Sequence, residues 1–285
     1  MMTHRTSQLG FSLIEMMIAS LVGLILMAGT MQMFSSTKQS SRTSTAVTRM
    51  QENGRAGLYF IENAIRLSGY RPDSLKDFSV SFPGTSANFD FNGKVIEVIR
   101  GFNNDPVGSD NDILDGTDRI LMRYQGNDDE LIRDCIGAWA KTGYTIEVAF
   151  LVNDNEELVC ASDPALKPPP DLAPAPNLTP NPDLTHTDNW HPLIEGVEDM
   201  QILYGVDKNS DFTADFYVTS NQIPANSEVI SARISLFLKS DAPIATQAQR
   251  YRLNGQWEVD PHSDKRHLHL HKVFSSTTAV RNLVD

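Results

Sequence analysis

Apolar residues are spread very unevenly along this chain. From Phe11 to Phe34, 24 residues contain one ionisable group, Glu15. A helix of that length spans about 36 Å at 1.5 Å per residue, enough to cross a hydrocarbon layer of roughly 30 Å. Further on, Val47, Met50, Gly54, Leu58, Ile61 and Ile65 recur in steps of three and four, which is one face of a helix. Lys38, Arg42, Arg49, Arg55 and Arg66 fall mostly off that stripe. Ser68-Gly69 and then Pro72 stop the helix. The pattern predicts one rod from about Phe11 to Leu67. Its first half is apolar all round and its second half is amphipathic, weakened at Gly54 and Gly57. The stripe predicts packing on a sheet.

Beyond the rod the period changes to two. Strands are predicted at Val95–Phe102, Asp118–Gly126, Tyr144–Val152, Met200–Val206, Val229–Ser240 and His267–Phe274. In Val229–Ser240, Ile230, Ala232, Ile234, Leu236 and Leu238 alternate, so one face is buried. Strands follow one another without regular helices between them, which predicts an antiparallel, α+β arrangement. Pro164–Pro182 holds eight prolines in 19 residues. It cannot form a helix or a central strand, and reads as an extended surface excursion. Neither flank alone looks complete, so it is expected to be a long loop inside one domain.

Composition adds two limits. The chain has 285 residues and a net charge of -12. An acidic chain with no basic cluster argues against a nucleic-acid partner, because phosphate binding needs Lys and Arg. Cys135 and Cys160 are the only cysteines. Two suffice for one disulfide, and they suggest an oxidising compartment.

The acid inside the apolar run needs a reason. A secretory signal peptide would end in a small-x-small cleavage site, but the residues after Phe34 read SSTKQSS. A plain membrane anchor explains the length and not Glu15, since a carboxylate at the centre of a membrane helix costs on the order of 3 kcal/mol. A cut between Gly10 and Phe11 would create an ammonium at Phe11, one helical turn from Glu15, within a subunit or on a neighbour. Gly10-Phe11-Ser12-Leu13-Ile14-Glu15 before an apolar run resembles the class III signal of type IV pilins and type II secretion pseudopilins. The resemblance implies cleavage after Gly10 by prepilin peptidase, N-methylation of Phe11, and an assembly role for Glu15. With Arg5 retained inside, the N-terminus is expected in the cytoplasm and everything after Phe34 outside the inner membrane. Residues 1–10 would be a leader, 11–34 a membrane helix, 35–70 its amphipathic continuation, and 71–285 a β-rich pilin-like domain.

Three further stretches point to a subgroup. Ile194-Glu195-Gly196-Val197-Glu198-Asp199-Met200-Gln201-Ile202-Leu203-Tyr204-Gly205-Val206-Asp207 resembles a segment of PilW-type minor pilins. Phe274-Ser275-Ser276-Thr277-Thr278-Ala279-Val280-Arg281-Asn282 is similar to that family's ending. Leu131–Cys135 with Glu157–Cys160 is similar to its paired-cysteine region. The resemblance implies a non-enzymatic minor pilin, helping to initiate type IV pili in a tip complex. Its partners would be other minor pilins, the major pilin, prepilin peptidase, the inner-membrane assembly machinery and membrane lipid. It would reside in the inner membrane before assembly and in the pilus afterwards. A J-type minor pseudopilin of type II secretion and a pilus-tip adhesin are the alternatives.

Outside the membrane, Cys135 and Cys160 are expected to form a disulfide around a hairpin-sized loop. No cofactor is expected except, as a weaker reading, calcium. Asp207, Asn209, Asp211 and Asp215 have calcium-loop spacing, but Phe212 replaces the turn glycine and Val218 stands where the bidentate glutamate belongs. The competing reading is a polar turn, and Asn103–Asp118 has the same ambiguity. His267, His269 and His271 alternate and would share a strand face. Positions four apart lie about 13 Å from each other on a strand, too far for one metal ion, so an exposed face is expected. No nucleophile elbow, HExxH, Walker loop or GxGxxG occurs.

Overall fold

The computed structural model describes residues 12–72, 90–91, 94–95, 98–103, 113–127, 132–139, 142, 145–166, 190–224, 227–245, 250–253, 256–259 and 268–283. The chain divides into two compact units, Met1–Val47 and Thr48–Asp285. One helix, α1, runs Leu13–Leu67, as the periodicity predicts.

Within the first unit the helix is exposed from Ser12 to Arg42. Its most apolar 18-residue window has a mean hydropathy of 2.0, and none of it is buried. Two polar residues there satisfy themselves locally. The Ser20 hydroxyl donates to the Met17 carbonyl and the Thr30 hydroxyl to the Met27 carbonyl, both at 2.9 Å. Neither therefore requires water, which suits a span through hydrocarbon.

In the second unit the helix buries Met50, Gly54, Gly57, Ile61, Ala64 and Ile65, while Leu58 is only half-buried. The two glycines thus lie on the packing face. A methyl group at Gly54 would come within 2.5 Å of the Phe274 ring, and one at Gly57 within 2.6 Å of Ile194 and 2.9 Å of Leu236. They are the points where strands approach the helix most closely, a role their low helix propensity does not announce.

The strands are β1 Asp90–Phe91, β2 Lys94–Val95, β3 Ile99–Phe102, β4 Arg119–Gln125, β5 Thr145–Val152, β6 Glu157–Leu166, β7 His191–Glu195, β8 Val197–Asp207, β9 Phe216–Val218, β10 Glu228–Lys239, β11 Arg250–Leu253, β12 Gln256–Val259 and β13 His271–Ala279. They form a five-stranded sheet β3-β4-β5-β6-β7, a four-stranded sheet β13-β10-β8-β9, and the pairs β1-β2 and β11-β12. All these pairings are antiparallel. The fold is α+β, as expected.

One core joins Met50, Ile61, Ala64 and Ile65 of α1 to inward residues of both sheets, among them Val148, Phe150, Ile202, Ile234 and Leu236. The far face of the five-stranded sheet has its own cluster, including Leu121, Ala149, Leu151, Val159 and Trp190. Strand β5 is therefore buried on both faces along its whole length. Its Glu147 is paired with Arg123 on β4, Nη2 to Oε1 2.5 Å and Nε to Oε1 3.0 Å. Such a pair is stable only while both charges remain.

Two boundary expectations change. The proline excursion does not begin at Pro164, because β6 continues to Leu166. Beyond Cys160, β6 has outrun its pairing with β7, and Pro164 sits at the irregularity in the β5 register between Thr145 and Glu147. Proline is tolerated at such a place. The rest of the excursion, 167–182, lies outside the described residues. The C-terminal strand is shifted, from His267–Phe274 as expected to His271–Ala279.

Candidate functional site

At the start of α1, Ser12 occupies the N-cap and Glu15 the third helical position. The Glu15 carboxylate accepts the Ser12 backbone N–H at 3.1 Å, one half of a capping box. That bond uses Oε2, and it is the one partner of Glu15 among the described residues. Glu15 also places a negative charge at the positive end of the helix dipole. Gly10 and Phe11 lie outside the described residues.

The stretch Ile194–Asp207 links the two sheets. Gly196, at φ +79°, carries the chain from β7 to β8. Its carbonyl accepts Lys239 N–H at 2.9 Å, and a methyl group there would meet the Lys239 carbonyl at 3.0 Å. Only glycine combines that backbone with that approach. At Gly205 a methyl group would collide with the Ser231 hydroxyl. Lys239 pairs with Glu156 of the β5–β6 turn and, at 3.4 Å, with Glu198 of β8. Asp118, just before β4, ties the sheets from the other side. Its carboxylate accepts Ile202 N–H at 2.7 Å, and its own N–H donates to Met200 at 2.8 Å.

At the end of that stretch is the loop with calcium-like spacing. Asp207 Oδ1 accepts the N–H groups of Asn209 at 3.0 Å and Ser210 at 2.7 Å, and Oδ2 that of Phe212 at 2.7 Å. Asp215 Oδ2 accepts Lys208 N–H at 2.8 Å, and Asp211 Oδ2 accepts the Asn209 amide at 3.0 Å. Burial pushes the Asp207 carboxyl up, but the N–H groups of Phe212, Ser210 and Asn209 outweigh it and hold it below its ordinary range. The carboxylates thus build a polar turn between β8 and β9. Among the described residues no group of three or more His, Cys, Asp or Glu is disposed to hold a metal ion.

Cys135 and Cys160 are joined. The bond fastens the β4–β5 connection to the middle of β6, and buries Cys160 in the main core. Next to it Asp134 Oδ1 caps Ile136 N at 3.1 Å and Ala138 N at 2.7 Å, and the Arg133 guanidinium stacks on Trp139 at 3.4 Å.

His269 and His271 do not share an exposed strand face. His269 precedes β13, and its Nδ1 is 2.6 Å from the Ser240 carbonyl. His271, the first residue of β13, is buried, stacks on Phe237 and lies with Nε2 3.1 Å from Glu198 Oε2. The neighbouring Glu198 explains the burial, because a polar ring is buried where it has a partner. His267 lies outside the described residues.

Residues 5–31 match the prokaryotic N-terminal methylation motif. Together with one apolar N-terminal helix and antiparallel sheets, that match makes the chain a type IV pilin-like protein. Residues 171–282 match the PilW family of type IV pilus-assembly protein W, and together with the methylation motif the match supports a minor type IV pilin of the PilW type. Among solved structures, a type IV-like pilin from Thermus thermophilus is similar at 10% identity and a TM-score of 0.43, over 83% of this chain and 98% of that one. No curated protein matches the chain. The apolar helix anchors it in a membrane, and processing by prepilin peptidase belongs to the class.

What Asp118 and Asn282 do is not legible in the sequence by itself. Asp118 lies in an acidic loop without a motif, and its two bonds exist only because β4 and β8 meet. The Asn282 amide reaches the end of α1, at Arg66 and Ser68. Its place in the family-like ending was the one available signal.

Proposed function

We propose that this minor pilin acts at the start of type IV pilus assembly, in a tip complex with other minor pilins and in contact with the major pilin. The observation that carries the reading is the pairing of a methylation motif at one end of the chain with the PilW match at the other. Prepilin peptidase cuts after Gly10 and Phe11 is N-methylated. The new ammonium at Phe11 of one subunit then meets Glu15 of its neighbour, which offsets the cost of a carboxylate at membrane depth. The N-terminus lies in the cytoplasm and the β-rich body outside, until the assembly machinery of the inner membrane moves the subunit into the fibre.

The test has two parts. Mass spectrometry of the mature chain should find N-methylated Phe11 as the first residue, and a chain starting at Met1 refutes the processing. Glu15→Ala should leave the protein in the membrane but deplete it from sheared pili. Normal incorporation of that variant refutes the pairing. Deletion should abolish surface pili and twitching; loss of protein secretion with intact pili points to a pseudopilus instead.

A further inference from the structure

Phe212 stands in the turn between β8 and β9 with its side chain 60% exposed and its backbone in the left-handed region, at φ +61°. For a bulky residue that conformation is an outlier. Among the described residues of the second unit, the large apolar side chains left exposed are Tyr59, Ile136, Trp139 and Phe212, and of these Phe212 alone has a positive φ. Packing does not hold it there: Phe216, four residues on, lies against the main core, whereas Phe212 is left in solvent. Loops of this spacing give the place to glycine, which removes the backbone cost. Strain of this kind clusters where a protein clamps or binds a partner.

The turn fixes the backbone that carries the ring. Asp207 accepts the N–H groups of Ser210 and Phe212, each at 2.7 Å. Asp211 Oδ1 accepts Thr213 N–H at 2.8 Å, and Asp215 N–H donates to the Val206 carbonyl at 2.9 Å. An aromatic ring on a braced backbone loses little freedom on binding, and such rings dominate the energy of protein contacts. The charges of the turn select the partner. Asp207–Asp215 holds three aspartates against one lysine, Lys208, and Asp211 and Asp215 are exposed. An anionic lipid surface repels such a turn. A second copy of this chain, acidic and without a basic cluster, offers it no matching surface.

We propose that Phe212 is a docking anchor, seated in an apolar pocket with a lysine or arginine rim on another pilin. The inference rests on the tip-complex reading and gives that complex one named contact, separate from Glu15. The backbone cost at Phe212 is then kept because glycine, although easier to fold, has no ring to insert.

The test uses the full chain in the cell that assembles the pilus. With p-benzoylphenylalanine installed at Phe212, light should cross-link the turn to a peptide of another pilin that contains lysine or arginine. Phe212→Gly should unfold at a higher urea concentration than the wild type and yet lower co-isolation of that pilin about tenfold. A residue with a purely structural role does not lose its partner while gaining stability. Phe212→Asn, which also suits a left-handed backbone, should lose as much. Asp211→Lys should weaken the complex several-fold and reduce its sensitivity to salt. The inference is overturned if the photoreactive ring couples only to lipid, to a second copy, to a protein that is not a pilin, or to nothing. It is also overturned if Phe212→Gly restores pili to a deletion strain as fully as the wild type does. Deletion that leaves pili intact refutes the tip-complex reading itself, and is read out before any change at Phe212.

Discussion

The side-chain amide of Asn282 donates to the backbone carbonyl of Arg66 at 2.8 Å, across 216 residues of sequence. A second bond reaches the Ser68 carbonyl at 3.2 Å. The last four carbonyls of a helix have no donor within it. Here Gly69, at φ +77°, turns the chain away and donates its own N–H to Arg123 at 2.9 Å, while Asn282 takes up the carbonyls left over. Replacing it by Ala should cost about 1–2 kcal/mol, the range of a lost cap or buried hydrogen bond. Asn282→Asp should cost at least as much, because a carboxylate brings no donor. Urea unfolding in detergent checks both, and an unchanged midpoint for Asn282→Ala would remove the cap from the account.

Gly54 offers a test in the opposite direction to helix propensity. Ala in place of Gly inside a helix should gain about 1 kcal/mol. At Gly54 the new methyl group meets three Phe274 ring carbons at 2.5, 2.6 and 2.7 Å, and overpacking of that kind costs about 1–3 kcal/mol. Gly54→Ala should therefore be net destabilising by about 1 kcal/mol. Phe274→Leu in the same chain should recover part of the loss. Additive effects in this double-mutant cycle would contradict direct contact.

Phe212 sits at φ +61° with its side chain largely exposed. A left-handed backbone costs a residue with a Cβ roughly 1–2 kcal/mol, and Phe212 has little packing to offset it. Its N–H bond to Asp207 holds it there. Phe212→Gly should raise stability by about 0.5–1 kcal/mol, seen as a higher urea midpoint with unchanged slope.

Burial pushes the Glu198 carboxyl up, but the hydrogen bond from His271 and the charges of His271 and Lys239 prevail and hold it below its ordinary value of 4.5. A carboxyl depressed by folding adds stability above its unfolded value, and that stability is lost as pH falls through the folded one. The loss therefore begins as pH falls through about 4.5. Unfolding midpoints taken from neutral pH downward should decline more steeply in the wild type than in Glu198→Gln, which should also be less stable at neutral pH. Parallel declines would exclude Glu198 as a source.

Much of the architecture could be read from periodicity. The end of α1 at Leu67, and β4, β5 and β10 to within a residue or two, follow from alternation and stop signals that are local in sequence. Strand β7 was not read, because His191 and Pro192 hide the alternation of a short edge strand. The N-terminal limit of the proline excursion misled for a related reason: Pro164 is compatible with a strand that has lost its neighbour on one side, and neighbours are not visible in a sequence. Glu15 stood out because one charge in an apolar run has no other explanation. Phe212 did so only as a residue in the place of a turn glycine; its exposure and its left-handed backbone are not visible in the sequence.

The bond from Asn282 to Arg66 also bears on how the molecule is made. The helix that leads the chain is finished by a residue synthesised 216 positions after the one it caps. Contacts of such long sequence separation form slowly and late. Until β4, β5, β8 and β10 have been made, the Met50, Ile61 and Ile65 face of α1 has no strands to cover it. The nascent chain thus passes through a stage in which its amphipathic helix is uncovered, and the arrival of the C-terminal segment adds the last cap, at the carbonyl of Arg66.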